Sequence, residues 1–236
     1  MTRRDWPVYP HGPLEPLADN LWQVTGSLPR GPLPRNMIVH RLRDGRLIIH
    51  SGIAMNEQGM AALESLGHPS VLIVPNGLHR LDAPFYLARY PGIEVTCPAA
   101  ARAKVERKVP VRRPVEQVLA ELDIPVHVPA GTKAQERVYQ LPLAEGCALV
   151  CTDLLFNLPH QQGFGGMLLR LIGSTGKFGV TPLGRLMFLR DRAAFADWLE
   201  TMAALPGLRI LSMAHGHALT HDVPAALRNH ASALRR

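Results

Sequence analysis

A chain of 236 residues, 47% of them hydrophobic and 19% charged, can bury a full core and is too apolar to be a disordered tail. No run of about 18 uncharged apolar residues is present, which excludes a membrane-spanning helix, and the opening Met1-Thr2-Arg3-Arg4-Asp5-Trp6-Pro7 lacks the apolar stretch of a secretory leader. Three cysteines and a net charge of +7 argue against a disulfide framework and favour anionic contacts. The expectation is a cytoplasmic protein with three buried thiols and no membrane partner.

Residues 1–17, with Pro7, Pro10, Pro13 and Pro16, are predicted to form an extended arm. Leu21 to Val24 reads as a strand, and Pro29, Pro32 and Pro34 mark a loop. Two apolar stretches, 36–42 and 46–50, flank Asp44-Gly45, a strong hairpin signal. Asn56 is placed to cap a helix with Met60, Leu63 and Leu66 on one face, stopped by Gly67.

Next comes Val71-Leu72-Ile73-Val74, four apolar residues that read as a strand buried on both faces. Pro75-Asn76-Gly77 ends it, and His79 and Asp82 follow at its carboxyl end, the rim where open α/β sheets bind ligands. A helix over 83–90 and a strand over 93–96 continue the alternation of an α/β fold. Arg102, Lys104, Arg107, Lys108, Arg112 and Arg113 form the densest basic cluster. It reads as a solvated face, with nucleic-acid binding as the sharper alternative, although no aromatic residue interleaves the charges as in single-strand binders.

A short helix from Pro114 carries Val115, Val118, Leu119 and Leu122 on one face. Strands follow at 126–128, 137–141 and 147–151, the last ending at Thr152-Asp153. Residues 161–180 hold six glycines and are predicted to be a mobile lid or an apolar hairpin. Gly173-Ser174-Thr175-Gly176-Lys177 has too few residues between its glycines, and no Ser or Thr after the lysine, for a phosphate loop. Asp191 then caps a helix with Phe195, Trp198, Leu199 and Met202 on one face. A strand over 208–214 runs into His215-Gly216-His217, and a helix capped by Asp222 closes the chain.

Three buried strands thus end in metal-ligand types: His79 with Asp82, Asp153, and His215 with His217. Imidazoles and carboxylates at separate strand ends can converge on one zinc, iron or manganese ion. Each has a structural alternative, and Asp82, followed by Ala83-Pro84, is equally a helix N-cap.

On these residues the chain resembles the metallo-β-lactamase fold superfamily. His50-Ser51-Gly52 matches the turn after its first hairpin, Thr152-Asp153-Leu154-Leu155-Phe156 its bridging-aspartate strand, and His215-Gly216 its last histidine. The resemblance implies an α/β fold, a four-layer αββα sandwich, over one domain spanning 1–236. The family's His-x-His-x-Asp-His motif is degenerate: aligned on His79, Gly77 and Asp82 replace two histidines and Leu81 the aspartate. A further family histidine has no counterpart near Tyr139 to Pro142.

The resemblance therefore implies a reduced site in which His79, Asp82, Asp153 and His215 hold one ion, or none. Asp153 and His217 are the catalytic candidates, His217 as the proton carrier. The activity expected is metal-dependent hydrolysis of an ester, amide, thioester or phosphodiester, with Arg80 or Lys177 favouring an anionic small-molecule substrate. The alternatives are a non-catalytic member binding an anionic small molecule or a protein, and nucleic-acid processing.

Overall fold

In the computed structural model, which describes residues 6–133 and 136–236, the chain divides into two units, Met1–Val115 and Glu116–Arg236. The first unit is built on one seven-stranded sheet. β1 (Glu15–Ala18), β2 (Leu21–Gly26), β3 (Arg35–Arg41) and β4 (Arg46–His50) follow each other antiparallel. β5 (His68–Ile73), β6 (Glu94–Cys97) and β7 (Arg113–Pro114) extend the sheet in parallel. The change of direction follows the connections. Gly45, at φ 84°, closes the tight β3–β4 turn, whereas α1 (Glu57–Leu66) and α2 (Ala83–Arg89) are the crossovers that parallel pairing requires.

Asn56 caps α1 as its position predicts, its side chain accepting from the Gly59 amide at 2.8 Å. Met60 and Leu63 of α1 and Phe85 and Tyr86 of α2 pack with Val39, Ile49, Leu72 and Val95 of the sheet. All of Val71 to Val74 is buried, the two-faced burial that the continuous apolar run predicts. The expected arm needs correction: residues 1–5 lie outside the described residues, and Glu15–Ala18 pairs with β2. Pro16 is tolerated there because β1 is an edge strand, where a missing amide donor leaves no ladder bond broken. The basic stretch forms α3 (Arg102–Val105) and loop. Within it Arg102 pairs with Glu106 at 2.9 Å and Arg113 with Glu94 at 2.7 Å.

After α4 (Val115–Ala120), the second unit forms a four-stranded sheet from β8 (Val126–His127), β9 (Val138–Pro142), β10 (Cys147–Val150) and β11 (Leu208–Ser212). Its order is β11-β10-β9-β8, and the β10–β11 pair is parallel. The remaining helices are α5 (Gly163–Leu171), α6 (Pro182–Phe188), α7 (Arg192–Ala203) and α8 (Val223–Arg235). Phe195 and Leu199 of α7 and Leu227 and Leu234 of α8 pack on Val138, Leu149 and Leu211. All three cysteines are buried, as expected of core thiols.

Two local expectations fail in this unit, and one helix lies where none is expected. The glycine-rich stretch is neither open loop nor hairpin but contains α5, because Met167 to Leu171 is a run of good helix formers and Gly166 serves close packing: a Cβ there would lie 1.9 Å from the Gln161 carbonyl oxygen. The unexpected helix is α6, which begins at the start signal Thr181-Pro182, where Thr181 Oγ1 accepts from the Gly184 amide at 2.9 Å. Asp222 precedes α8 in a left-handed conformation and makes no side-chain cap bond.

Two buried histidines make the fold sensitive to acid. Burial lowers His40 and His230 from 6.5 to about 4, with Arg185 and Lys177 adding to the effect at His230. Their neutral forms thus stabilise the fold fully above the unfolded value, and that contribution is lost as pH falls through 6.5 toward 4. The loss is on the order of 3 kcal/mol per histidine once both are protonated. Urea unfolding is expected to show lower stability near pH 4 than near pH 7, with a smaller loss in His230→Gln, whose side chain does not titrate. Equal losses in the variant and the parent would contradict it.

Candidate metal centre

In the first unit β4 and β5 run parallel, so their carboxyl ends share one rim. Ser51 follows β4 in the left-handed region at φ 57° and is anchored by donating its amide to the Ile73 carbonyl at 3.0 Å. Beyond β5 the Asn76 carboxamide oxygen accepts from the amides of Leu78, at 2.8 Å, and His79, at 3.1 Å. This Asx turn reverses the chain. Gly77 is required within it, since a Cβ would lie 2.8 Å from Cβ of Lys104. The result sets Ser51 Oγ 2.9 Å from His79 Nδ1. A hydrogen bond to one ring nitrogen fixes tautomer and ring orientation, the arrangement by which ligating histidines are held.

Asp82 has a different partner from those expected. It makes no cap hydrogen bond to α2. Its Oδ2 accepts from Arg35 Nη2 at 2.6 Å and from the Ala54 amide at 2.9 Å. Both side chains of this ion pair are only 6% exposed. A buried guanidinium needs such a counter-charge, so the carboxylate serves the fold of this unit.

The second unit brings two of the predicted residues together. β10 and β11 are adjacent and parallel, and just past their ends Asp153 Oδ1 lies 3.0 Å from His215 Nε2. Both residues are buried, at 5% and 4% exposure. Phe156 packs its ring against His215 with centroids 4.8 Å apart. Gly216 is held at φ 97°, and a Cβ there would lie 2.1 Å from the Asn157 carbonyl oxygen. That close approach pairs the 157 and 216 segments: Asn157 donates its amide to the His215 carbonyl, and His217 donates its own to the Asn157 carbonyl at 3.0 Å. The His217 ring is exposed.

Arg35 and Glu136 were missed by the sequence reading. Glu136 is buried, and its carboxylate oxygens accept from the Asp153 amide at 3.0 and 3.1 Å, fixing the strand end that carries Asp153. No motif marks Glu136. Arg35 has a faint signal, a charge that opens the strand whose centre is the apolar Met37-Ile38-Val39.

The sequence matches no family model and no curated protein. The fold is nevertheless shared with solved structures. A metallo-β-lactamase from Erythrobacter litoralis, with β-mercaptoethanol in its active site, is 17% identical and has a TM-score of 0.62, covering 93% of this chain and 96% of that one. FIM-1 from Pseudomonas aeruginosa, a metallo-β-lactamase in its mono-zinc form, is 12% identical with a TM-score of 0.60, covering 94% of this chain and 96% of that one. TMB-1 is 14% identical with a TM-score of 0.59, covering 98% of this chain and all of that one. The chain therefore has the metallo-β-lactamase fold, and its two sheets with their helices agree with the α/β class predicted for it.

Proposed function

We propose that the chain is a metal-dependent hydrolase with a reduced, mononuclear site for which three strand ends of the sequence supply His79, Asp153 and His215 as ligands. The buried Asp153–His215 pair at 3.0 Å, at neighbouring strand ends of a fold with a known mono-zinc form, carries this reading. Two imidazoles and a carboxylate suit zinc, and also iron or manganese, while three protein ligands leave a position for water. Asp82 is left out of the set because its Oδ2 serves Arg35 and Ala54.

A bound ion there would supply a Lewis acid and a water that ionises near neutral pH. The chain's own residues hold and shield that position. Ser51 orients the His79 ring, Glu136 fixes the Asp153 backbone, and Phe156 covers one face of His215. His217, exposed two residues beyond His215, is assigned proton exchange with bulk solvent. The substrate class is an ester, amide, thioester or phosphodiester. Ligand imidazoles must give up a proton to bind an ion, so affinity should fall in acid.

Protein stripped with chelator and reloaded with zinc is expected to retain about one equivalent per chain by elemental analysis. Retention below about a tenth of an equivalent for zinc, iron and manganese alike would overturn the proposal. Stoichiometric metal without hydrolysis of any of the four bond types would shift the assignment to a non-catalytic binding protein.

A further inference from the structure

Between Asp153 and Asp191 the chain carries no Asp or Glu, yet it holds Arg170, Lys177, Arg185 and Arg190. The same segment folds into α5 and α6, whose apolar side chains face solvent. Phe164 is 79% exposed, Leu171 75% and Leu186 76%; Met167, Leu168 and Leu183 are about half exposed. Within α5 only Gly166 is buried. A helix of a water-soluble chain ordinarily turns its apolar stripe to the core. Two successive helices that turn it outward, rimmed by cations, mark a surface that something covers.

A cavity of about 350 Å³ lies beside α6, lined by Lys177, Phe178, Thr181, Arg185, Asn229 and His230. It has no carboxylate in its lining. Arg185 Nε is buried and has no hydrogen-bond partner among the described residues, while His230 Nε2 accepts from the Val180 amide at 3.0 Å. Two cations, no acid and an unmatched guanidinium N–H suit the oxygens of a phosphate. A second copy of the chain is a poor cover for this face, because self-association would set its cations against one another.

We propose that this face docks on an anionic phospholipid bilayer. α5 and α6 lie in the plane of the interface with Phe164, Leu171 and Leu186 in the acyl boundary, and Lys177 and Arg185 take a lipid phosphate at the cavity mouth. The contact is interfacial, since no helix among the described residues is long and apolar enough to cross a membrane. Apolar insertion and attraction to anionic headgroups reinforce each other in such helices. The proposal stands apart from the metal reading and does not need it.

The test is co-sedimentation of the full chain with vesicles of phosphatidylglycerol and phosphatidylcholine in equal parts, and with phosphatidylcholine alone. Binding to the anionic vesicles is expected to be at least roughly tenfold tighter and to weaken with salt. Phe164→Ser/Leu171→Ser/Leu186→Ser should lose roughly tenfold or more of that affinity with an unchanged melting temperature, since all three side chains are exposed. Lys177→Gln/Arg185→Gln should lose the preference for anionic vesicles. Failure to bind anionic vesicles, or equal binding to both compositions, would overturn the proposal. So would a wild-type dimer that the triple serine variant dissociates, which would make a second copy the cover. Thermal stabilisation by inorganic phosphate without vesicle binding would likewise overturn it, assigning the cavity to a soluble phosphate compound.

Discussion

Asp82→Ala is expected to destabilise the protein by about 3–5 kcal/mol, enough to remove a large share of the stability of a typical domain. The carboxylate is the buried counter-charge of Arg35 at 2.6 Å and also satisfies the Ala54 amide. Truncation leaves a guanidinium whose side chain is 6% exposed without its anion, and a backbone donor without its acceptor. The cost comes from the group left behind more than from the bond removed. Arg35→Met/Asp82→Leu, which removes both charges, should therefore recover most of the loss. Urea titration of the two variants and the parent decides it. A single-variant loss under about 1 kcal/mol would mean that the pair behaves as a solvated one. A double variant as unstable as Asp82→Ala would assign the loss to the Ala54 amide instead.

Asp153→Ala and His215→Ala should each abolish the response of the protein to zinc. For the parent, zinc at 100 times its dissociation constant stabilises by about 2.7 kcal/mol through mass action. Loss of one of the three proposed ligands should weaken binding by about 100-fold or more, and the same zinc concentration would then contribute no more than about 0.4 kcal/mol. Melting temperatures with and without zinc read this directly and need no substrate. His217→Ala is the control: its exposed ring is assigned proton transfer, so the zinc response should persist while turnover falls. An undiminished zinc shift in Asp153→Ala would remove that residue from the ligand set. Loss of the shift in His217→Ala would place His217 among the ligands.

Much of the fold was legible because its signals are local. Asp44-Gly45 closes the β3–β4 hairpin, Asn56 and Asp191 cap the helices they precede, and the apolar runs at 71–74 and 147–151 are buried throughout. The Asp153–His215 pair was anticipated in kind, since adjacent parallel strands bring their ends together. Its supports were not. Arg35 and Asp82 are 47 residues apart, and Glu136 reaches Asp153 from 17 residues away. A pairing set only by the folded chain leaves no pattern in either neighbourhood. The segment 161–180 misled for a different reason: a high glycine count reads as flexibility, but Gly166 is a packing position and its neighbours favour helix. Read as loop, the segment also hid the outward apolar face on which the proposed bilayer contact rests, where the sequence suggested no membrane partner.

The ends of the two sheets bear on how this chain behaves when crowded. An open strand edge is a template on which another chain can add, and such growth leads to aggregates. In the seven-stranded sheet both outer strands carry proline: Pro16 in β1, where the register also shifts, and Pro114 in the two-residue β7. In the four-stranded sheet the outer β8 is two residues long, and the other edge is met by Leu219, which exchanges both backbone hydrogen bonds with Leu211 of β11 at 2.9 Å. Each border thus denies a newcomer a continuous row of donors and acceptors, so the sheets stay finite even though the chain is rich in β-branched, strand-forming runs.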